Sequence, residues 1–186
     1  CKSAKPNCCS NIQVIGVHKD GGMCEYIAVP ESAVVVTDGL PFQQMALIEC
    51  LAVGAHAVKR ANVQAKDTVL VLGAGPIGLG TAQFAQVTGA QVFIADISPE
   101  KVEFCKQNFN FDQVLQANEQ LNQTLAKLTD GNYPNVIIDC TGNVKAMESA
   151  LYNLSHGGTL VFVSIVKDKI SFEDPEFHKR ETTLMG

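Results

Sequence analysis

No apolar run in this sequence approaches the roughly 18 residues of a membrane span, and no segment reads as a signal peptide. Basic clusters are missing as well. Fourteen Lys and Arg stand against 19 Asp and Glu, for a net charge of −5. Nucleic acid and anionic membranes are therefore not expected partners. There is no repeat at solenoid periods and no low-complexity tract, which removes the array architectures. A disulfide framework is also lacking. Of seven cysteines, Cys1, Cys8, Cys9 and Cys24 crowd the first 24 residues, while Cys50, Cys105 and Cys140 sit singly in apolar settings. The latter three read as small buried hydrophobes, and the expected compartment is a reducing cytoplasm.

What remains is 186 residues, 46% hydrophobic and 18% charged, with a mean hydropathy of +0.10. That composition suits a globular protein able to bury a core. The sequence starts on Cys1 rather than Met and stops on Met185-Gly186, so it is expected to be a fragment.

The most informative stretch is Val69-Leu70-Val71-Leu72-Gly73-Ala74-Gly75-Pro76-Ile77-Gly78. An apolar strand ends in Gly-x-Gly-x-x-Gly and turns into a helix. Asp96 closes the next apolar run, 18 residues after Gly78. This order predicts a site for a dinucleotide pyrophosphate with a ribose beside it. Gly73 permits the tight turn, Gly75 lets phosphates approach the backbone, and Gly78 permits close packing of the helix. Pro76 suits the first helical position, and the free N–H groups around Ile77 and Gly78 point toward an anion. The Asp96 carboxylate can accept from ribose hydroxyls and would repel a 2′-phosphate, so NAD is expected over NADP. A competing class is an S-adenosylmethionine-dependent methyltransferase, whose sheet also carries a Gly-rich first turn. A further alternative is a nucleotide-binding module that does no catalysis as isolated.

From Asp67 onward strands and helices alternate. Strands are predicted at 68–72, 91–95, 113–116, 135–139 and 159–164, with a sixth opening at Thr182. Helices are predicted at 76–88, 99–109, 119–129 and 143–154. Nearly continuous apolar strands in this order imply an α/β, doubly wound parallel sheet covered on both faces. Asp139-Cys140-Thr141-Gly142 ends the fourth strand and Val163-Ser164-Ile165 the fifth, and these turns, with Thr141 and Ser164, are expected to flank the nicotinamide end of the ligand. Earlier in the chain, 26–29 and 33–36 read as short strands. A helical stretch at 42–60 is expected to bend near Gly54, and the turn-rich 37–41 marks a domain boundary.

Together, Cys1-x7-Cys9, the run Gly16 to Tyr26, Ala46-Leu47-Ile48-Glu49 with Val53 to Val58, and Gly73 to Gly80 resemble the zinc-dependent medium-chain alcohol dehydrogenases. The run Asp174 to Glu181 resembles their polyol and sugar-acid branch. The resemblance implies a Rossmann-type NAD-binding domain at 39–186 and, at 1–38, a remnant of a GroES-like zinc-binding catalytic domain. It also implies that Cys1 and Cys9 are structural-zinc ligands and that Glu49 is a catalytic-zinc ligand, with Cys50 a lesser candidate. The implied substrate is a small alcohol or polyol, the cofactors are NAD and zinc, and the parent enzyme is a homo-oligomer. His56 reads either as part of a proton relay or as a hydrogen-bonded structural histidine.

Overall fold

A computed structural model describes residues 5–186. The chain divides into two compact units, one reaching Leu40 and one starting at Pro41.

The second unit is built on a six-stranded sheet. Its strands are β1 (Thr68–Leu72), β2 (Gln91–Asp96), β3 (Gln113–Gln116), β4 (Val136–Asp139), β5 (Thr159–Phe162) and β6 (Thr183–Met185). They lie in the order β3-β2-β1-β4-β5-β6, and every neighbouring pair is parallel. The order reverses between β1 and β4, which opens a crevice at the carboxyl ends of the strands. Parallel neighbours need crossovers, and helices supply them: α3 (Pro76–Val87), α4 (Pro99–Asn108), α5 (Leu121–Leu128) and α6 (Val144–Ala150).

Side-chain alternation sorts each strand between two cores. Val69 and Val71 of β1, Val92 and Ile94 of β2, and Val136 and Ile138 of β4 pack on one face with Ala82, Ala85 and Cys105. Leu70, Leu72, Phe93, Ala95, Ile137 and Leu160 pack on the other with Leu121, Leu125 and Ala150. Both faces are covered, so the strands read in sequence as unbroken apolar runs rather than alternating ones. This is the expected Rossmann-type architecture.

Several boundaries and elements differ from expectation. The helical stretch at 42–60 is two helices, α1 (Phe42–Met45) and α2 (Ile48–Arg60), broken at Ala46-Leu47 and not near Gly54. Gly54 lies inside α2, where a Cβ would stand 2.7 Å from the Thr81 nitrogen of α3. Its role is to let two helices approach closely. The predicted helix at 143–154 finishes as a 3-10 turn over Leu151–Asn153, and β5 stops at Phe162. A short helix, α7 (Asp174–Lys179), was not expected.

The first unit forms no strand over 26–29 or 33–36. A 3-10 turn at Glu31–Ala33 overlaps the latter region, Val34 N–H donates to Glu31 O, and neither segment joins a sheet. Val35 and Val36 are 84% and 81% exposed. β-branched composition favours extended backbone, but a strand also requires a partner for its ladder groups.

Candidate functional site: a glycine turn facing a buried carboxylate

The site is assembled where β1 leaves the sheet. Gly73 N–H still donates to Ala95 O of β2 at 2.8 Å, and then the chain turns with Gly73 at φ +96°. A Cβ at Gly73 would press on the Cys140 carbonyl at 3.0 Å, so both the left-handed backbone and the close approach of the β4 end require glycine here. A Cβ on Gly78 would lie 1.8 Å from Gly73 O. The first turn of α3 is thus tucked directly under the loop that precedes it. Gly75 is different. It caps α3 with φ −80° and ψ 179°, and a Cβ there would meet nothing within 4 Å. The space in front of Gly75 is open.

Pro76 occupies the first turn of α3, and the first backbone bond of that turn runs from Leu79 N–H to Gly75 O at 2.8 Å. Among the described residues no acceptor lies on the N–H groups of Ile77 or Gly78. Unpaired donors at the positive end of a helix dipole make an anion cradle.

Asp96 ends β2 and is 7% exposed. Its Oδ2 accepts from Ala74 N–H of the glycine turn at 2.7 Å, and its Oδ1 accepts from Ser98 N–H at 2.8 Å. The carboxylate is therefore held against the turn across 22 residues of sequence. Two groups that sequence reasoning missed support it. Lys101 places Nζ 3.6 Å from Asp96 Oδ2 from the first turn of α4, where Ser98 caps the helix through Lys101 N–H. Its spacing, five residues beyond the acid on a capped helix, was the available signal. Gln116, at the end of β3, donates through Nε2 to Asp96 O at 3.2 Å and to Ile97 O at 2.5 Å. No local pattern announces that contact, because it spans two strands.

The ends of β4 and β5 lie on the other side of the crevice. Asp139 is fully buried, and its carboxylate accepts from Thr141 N–H at 3.0 Å and from Thr141 Oγ1 at 3.0 Å. Burial pushes its carboxyl above the usual range, while the bonds from Thr141 pull the other way. Asp139 thus fixes the loop after β4. Thr141 is itself exposed, and Ser164 Cβ lies 3.7 Å from where a Gly142 Cβ would sit. The turns after β4 and β5 therefore lie side by side. Cys140 sits between these parts, with Sγ 3.7 Å from Thr81 Oγ1 of α3. Burial pushes its thiol up to about 12, so it is an inert packing group. Of the three cysteines expected to be buried, Cys105 is fully buried, whereas Cys50 and Cys140 are only half-buried.

The metal expectations fare differently. Cys1 lies outside the described residues. Cys9 is half-buried at the end of a 3-10 turn over Pro6–Cys8. Glu49 is exposed in the first turn of α2. Among the described residues no group of three or more His, Cys, Asp or Glu stands close enough to hold a metal. A zinc site needs about four ligands, so these residues do not form one by themselves. The His56 side chain is exposed on α2 and has no hydrogen-bond partner among the described residues, so the expected structural bond is not found there. His18 does have one, accepting from Val14 N–H at Nδ1 at 3.0 Å.

The sheet order, the glycine turn and the acid at the end of β2 define a dinucleotide-binding α/β domain. Comparison with known proteins agrees. The family described as zinc-binding dehydrogenase matches residues 76–186, and the chain belongs to that family. It is 46% identical over 186 residues to L-galactonate-5-dehydrogenase of Escherichia coli K12, covering 100% of this chain and 55% of that protein. A protein of Escherichia coli CFT073, described as a short chain alcohol dehydrogenase and complexed with NADH, matches with a TM-score of 0.88 and 27% identity. That match covers 100% of this chain and 55% of the other. A protein of Sinorhizobium meliloti 1021, described as a zinc-binding dehydrogenase and bound to NADP, gives a TM-score of 0.89 at 26% identity, over 100% and 56% of the two chains. The chain thus spans about half the length of these relatives. Family membership sets aside the methyltransferase alternative. No helix among the described residues is long and apolar enough to cross a membrane.

Proposed function

We propose that this chain is the NAD-binding portion of a zinc-dependent alcohol or polyol dehydrogenase. The parent enzyme transfers hydride from a secondary alcohol, on a polyol or a sugar acid, to NAD. The observation that carries the reading is Asp96 held 2.7 Å from the Ala74 N–H of the Gly73–Gly78 turn, beside open space at Gly75. The 46% identity to an L-galactonate-5-dehydrogenase supports a sugar acid as the substrate class.

The chain's own residues have separable tasks. The N–H groups of Ile77 and Gly78, at the start of α3 behind Pro76, hold the pyrophosphate. The Gly75 backbone allows it to come close. Asp96 accepts from the ribose hydroxyls, and Lys101 beside it is within reach of the same sugar. Asp96 also carries the preference for NAD over NADP, because a buried anion repels a 2′-phosphate. Exposed Ile97 offers an apolar surface for the base. Thr141 and Ser164 line the nicotinamide end, with Thr141 aimed by Asp139. The bound dinucleotide supplies the hydride acceptor, and the protein supplies position and charge.

Zinc belongs to the proposal for the parent protein. Cys1 and Cys9 are assigned to a structural site and Glu49 to a catalytic one, each completed by residues outside this chain. No step of the reaction is derived through the metal, because the described residues do not form its ligand set. The division at Leu40 and Pro41 is consistent with a catalytic-domain segment at 1–38 and a nucleotide domain at 39–186. A homo-oligomeric parent and a reducing, cytoplasmic setting belong to the same proposal.

The test is Asp96→Asn. An amide can accept at only one of the two oxygen positions and carries no charge. Losing charged hydrogen bonds worth about 1.5–3 kcal/mol each should weaken NADH binding by roughly 10- to 150-fold. NADPH binding should weaken less or improve. A folded variant with unchanged NADH affinity would remove Asp96 from the site.

A further inference from the structure

Asp96 does not stand at the end of β2 unaided. The peptide that carries it is fastened from the neighbouring strand. Ala117 N–H donates to Asp96 O at 2.9 Å, which merely continues the ladder between β2 and β3. The Gln116 side chain adds something a ladder does not. Its Nε2 donates to Asp96 O at 3.2 Å and also to Ile97 O at 2.5 Å, one residue beyond the end of β2. A primary amide has two N–H donors, and both are used on consecutive carbonyls. The clamp therefore ties the Ile97–Ser98 peptide to the Asp96–Ile97 peptide before it, which Ala117 N–H also holds.

That peptide determines what the two side chains do. Asp96 points its carboxylate into the turn, onto Ala74 N–H, and is 7% exposed. Ile97 points away and is 79% exposed. Rotation of the intervening peptide would swing Asp96 off the turn and move Ile97 with it. The Ser98 N–H to Asp96 Oδ1 bond closes a ring that also contains this peptide, and Lys101 Nζ stands 3.6 Å from Oδ2; Gln116 adds a side-chain bond to the peptide from the neighbouring strand.

We infer that Gln116 is a positioning residue for cofactor choice: its carboxamide clamps the Asp96–Ile97 peptide so that the Asp96 carboxylate is presented to the ribose. The inference rests on the nucleotide site proposed above and deepens it. Gln116 touches the acid's backbone and acts only through it. A positioning role has a signature that a stabilising role lacks. Loss of the clamp should weaken NADH, which depends on where Asp96 points. It should spare NADPH, because a displaced carboxylate also repels a 2′-phosphate less.

The experiment compares the unaltered chain with Gln116→Ala and Gln116→Glu. Glutamate keeps the length and shape of the side chain but, when ionised, has no donor for either carbonyl. Affinities for NADH and NADPH are measured by titration, and thermal midpoints are recorded without cofactor. One or two net hydrogen bonds correspond to a roughly 3- to 30-fold loss of NADH affinity. The ratio of NADH to NADPH affinity should fall in Gln116→Ala by at least threefold, on the order of one lost bond; in Gln116→Glu, whose new charge itself repels a 2′-phosphate, the loss of NADH affinity alone is read. An unchanged ratio in Gln116→Ala, with both cofactors weakened equally or not at all, or full NADH affinity in Gln116→Glu, overturns the inference. So does failure of both variants to fold, since that assigns Gln116 to stability. If the unaltered chain binds neither cofactor, the reading of the site itself fails, and that result is distinct from either of the others.

Discussion

Two glycines three residues apart should respond in opposite ways to one added methyl group. At Gly78 the new Cβ would sit 1.8 Å from Gly73 O and 2.9 Å from Gly73 C. Both obstructing atoms are backbone, in a turn whose φ of +96° leaves little room to adjust. The helix start must therefore retreat by over about 1 Å. Overpacking of this kind costs about 1–3 kcal/mol and at times more. With a backbone obstacle, Gly78→Ala should lie at or beyond the upper end, near 3 kcal/mol. For a chain of this size, that lowers the thermal midpoint by roughly 6–12 °C. At Gly75 the backbone is ordinary and the Cβ meets nothing within 4 Å. Replacing Gly by Ala at a compatible site gains about 0.4–1 kcal/mol through the unfolded chain. Alanine is a poorer N-cap than glycine by a similar amount, so the two effects offset. Gly75→Ala should keep its midpoint within about 3 °C of the parent. Its methyl group fills the open space that the pyrophosphate is proposed to enter, so NADH binding should fall at least tenfold. The assays are thermal unfolding followed by circular dichroism, and NADH titration on the same samples. Full NADH affinity in Gly75→Ala would refute the phosphate cradle. Parental stability in Gly78→Ala would refute the packing of the turn.

The buried carboxyl of Asp139 gives a pH test. Burial raises its folded-state value, so the stability tied to its protonated form is complete below the unfolded value. That stability is lost as pH rises through the folded one. Asp139→Asn cannot ionise and should therefore gain stability relative to the parent as pH rises above the ordinary carboxylate range of about 4, read from denaturation midpoints. A difference that does not change with pH would contradict the assignment. Metal analysis of the purified chain should find well below one tightly held zinc per molecule, since the described residues bring together no group of three or more His, Cys, Asp or Glu. One zinc per chain, resistant to dialysis against a weak chelator, would show a ligand set that the present account lacks.

The sheet was legible because its strands are buried on both faces. Runs such as Val69 to Leu72 and Val92 to Ala95 carry no polar residue to blur them, and Gly73 and Pro76 punctuate the strand-to-helix turn. Asp96 was legible for the same reason, as the first charge after an apolar run. The misreadings have a common physical source. Tyr26 to Val29 and Ala33 to Val36 have strand composition, but a ladder requires a partner strand, and composition cannot supply one. The break at Ala46-Leu47 involves two good helix formers, so nothing local announced it. Gly54 looked like a breaker because its actual role, the approach of α2 to Thr81, is a tertiary contact. Gln116 was invisible for that reason too: a glutamine closing a short strand gains meaning only when β2 is laid beside β3.

The Gly73–Gly78 turn and Asp96 are proposed to form a site for NAD. The most direct test is titration of the unaltered chain with NADH, followed by cofactor fluorescence, with NADPH and S-adenosylmethionine as parallel ligands. Saturable NADH binding, tighter than that of NADPH and with no response to S-adenosylmethionine, is the predicted result. NADPH binding as tightly as NADH, or no saturable NADH binding by the folded chain, would contradict it.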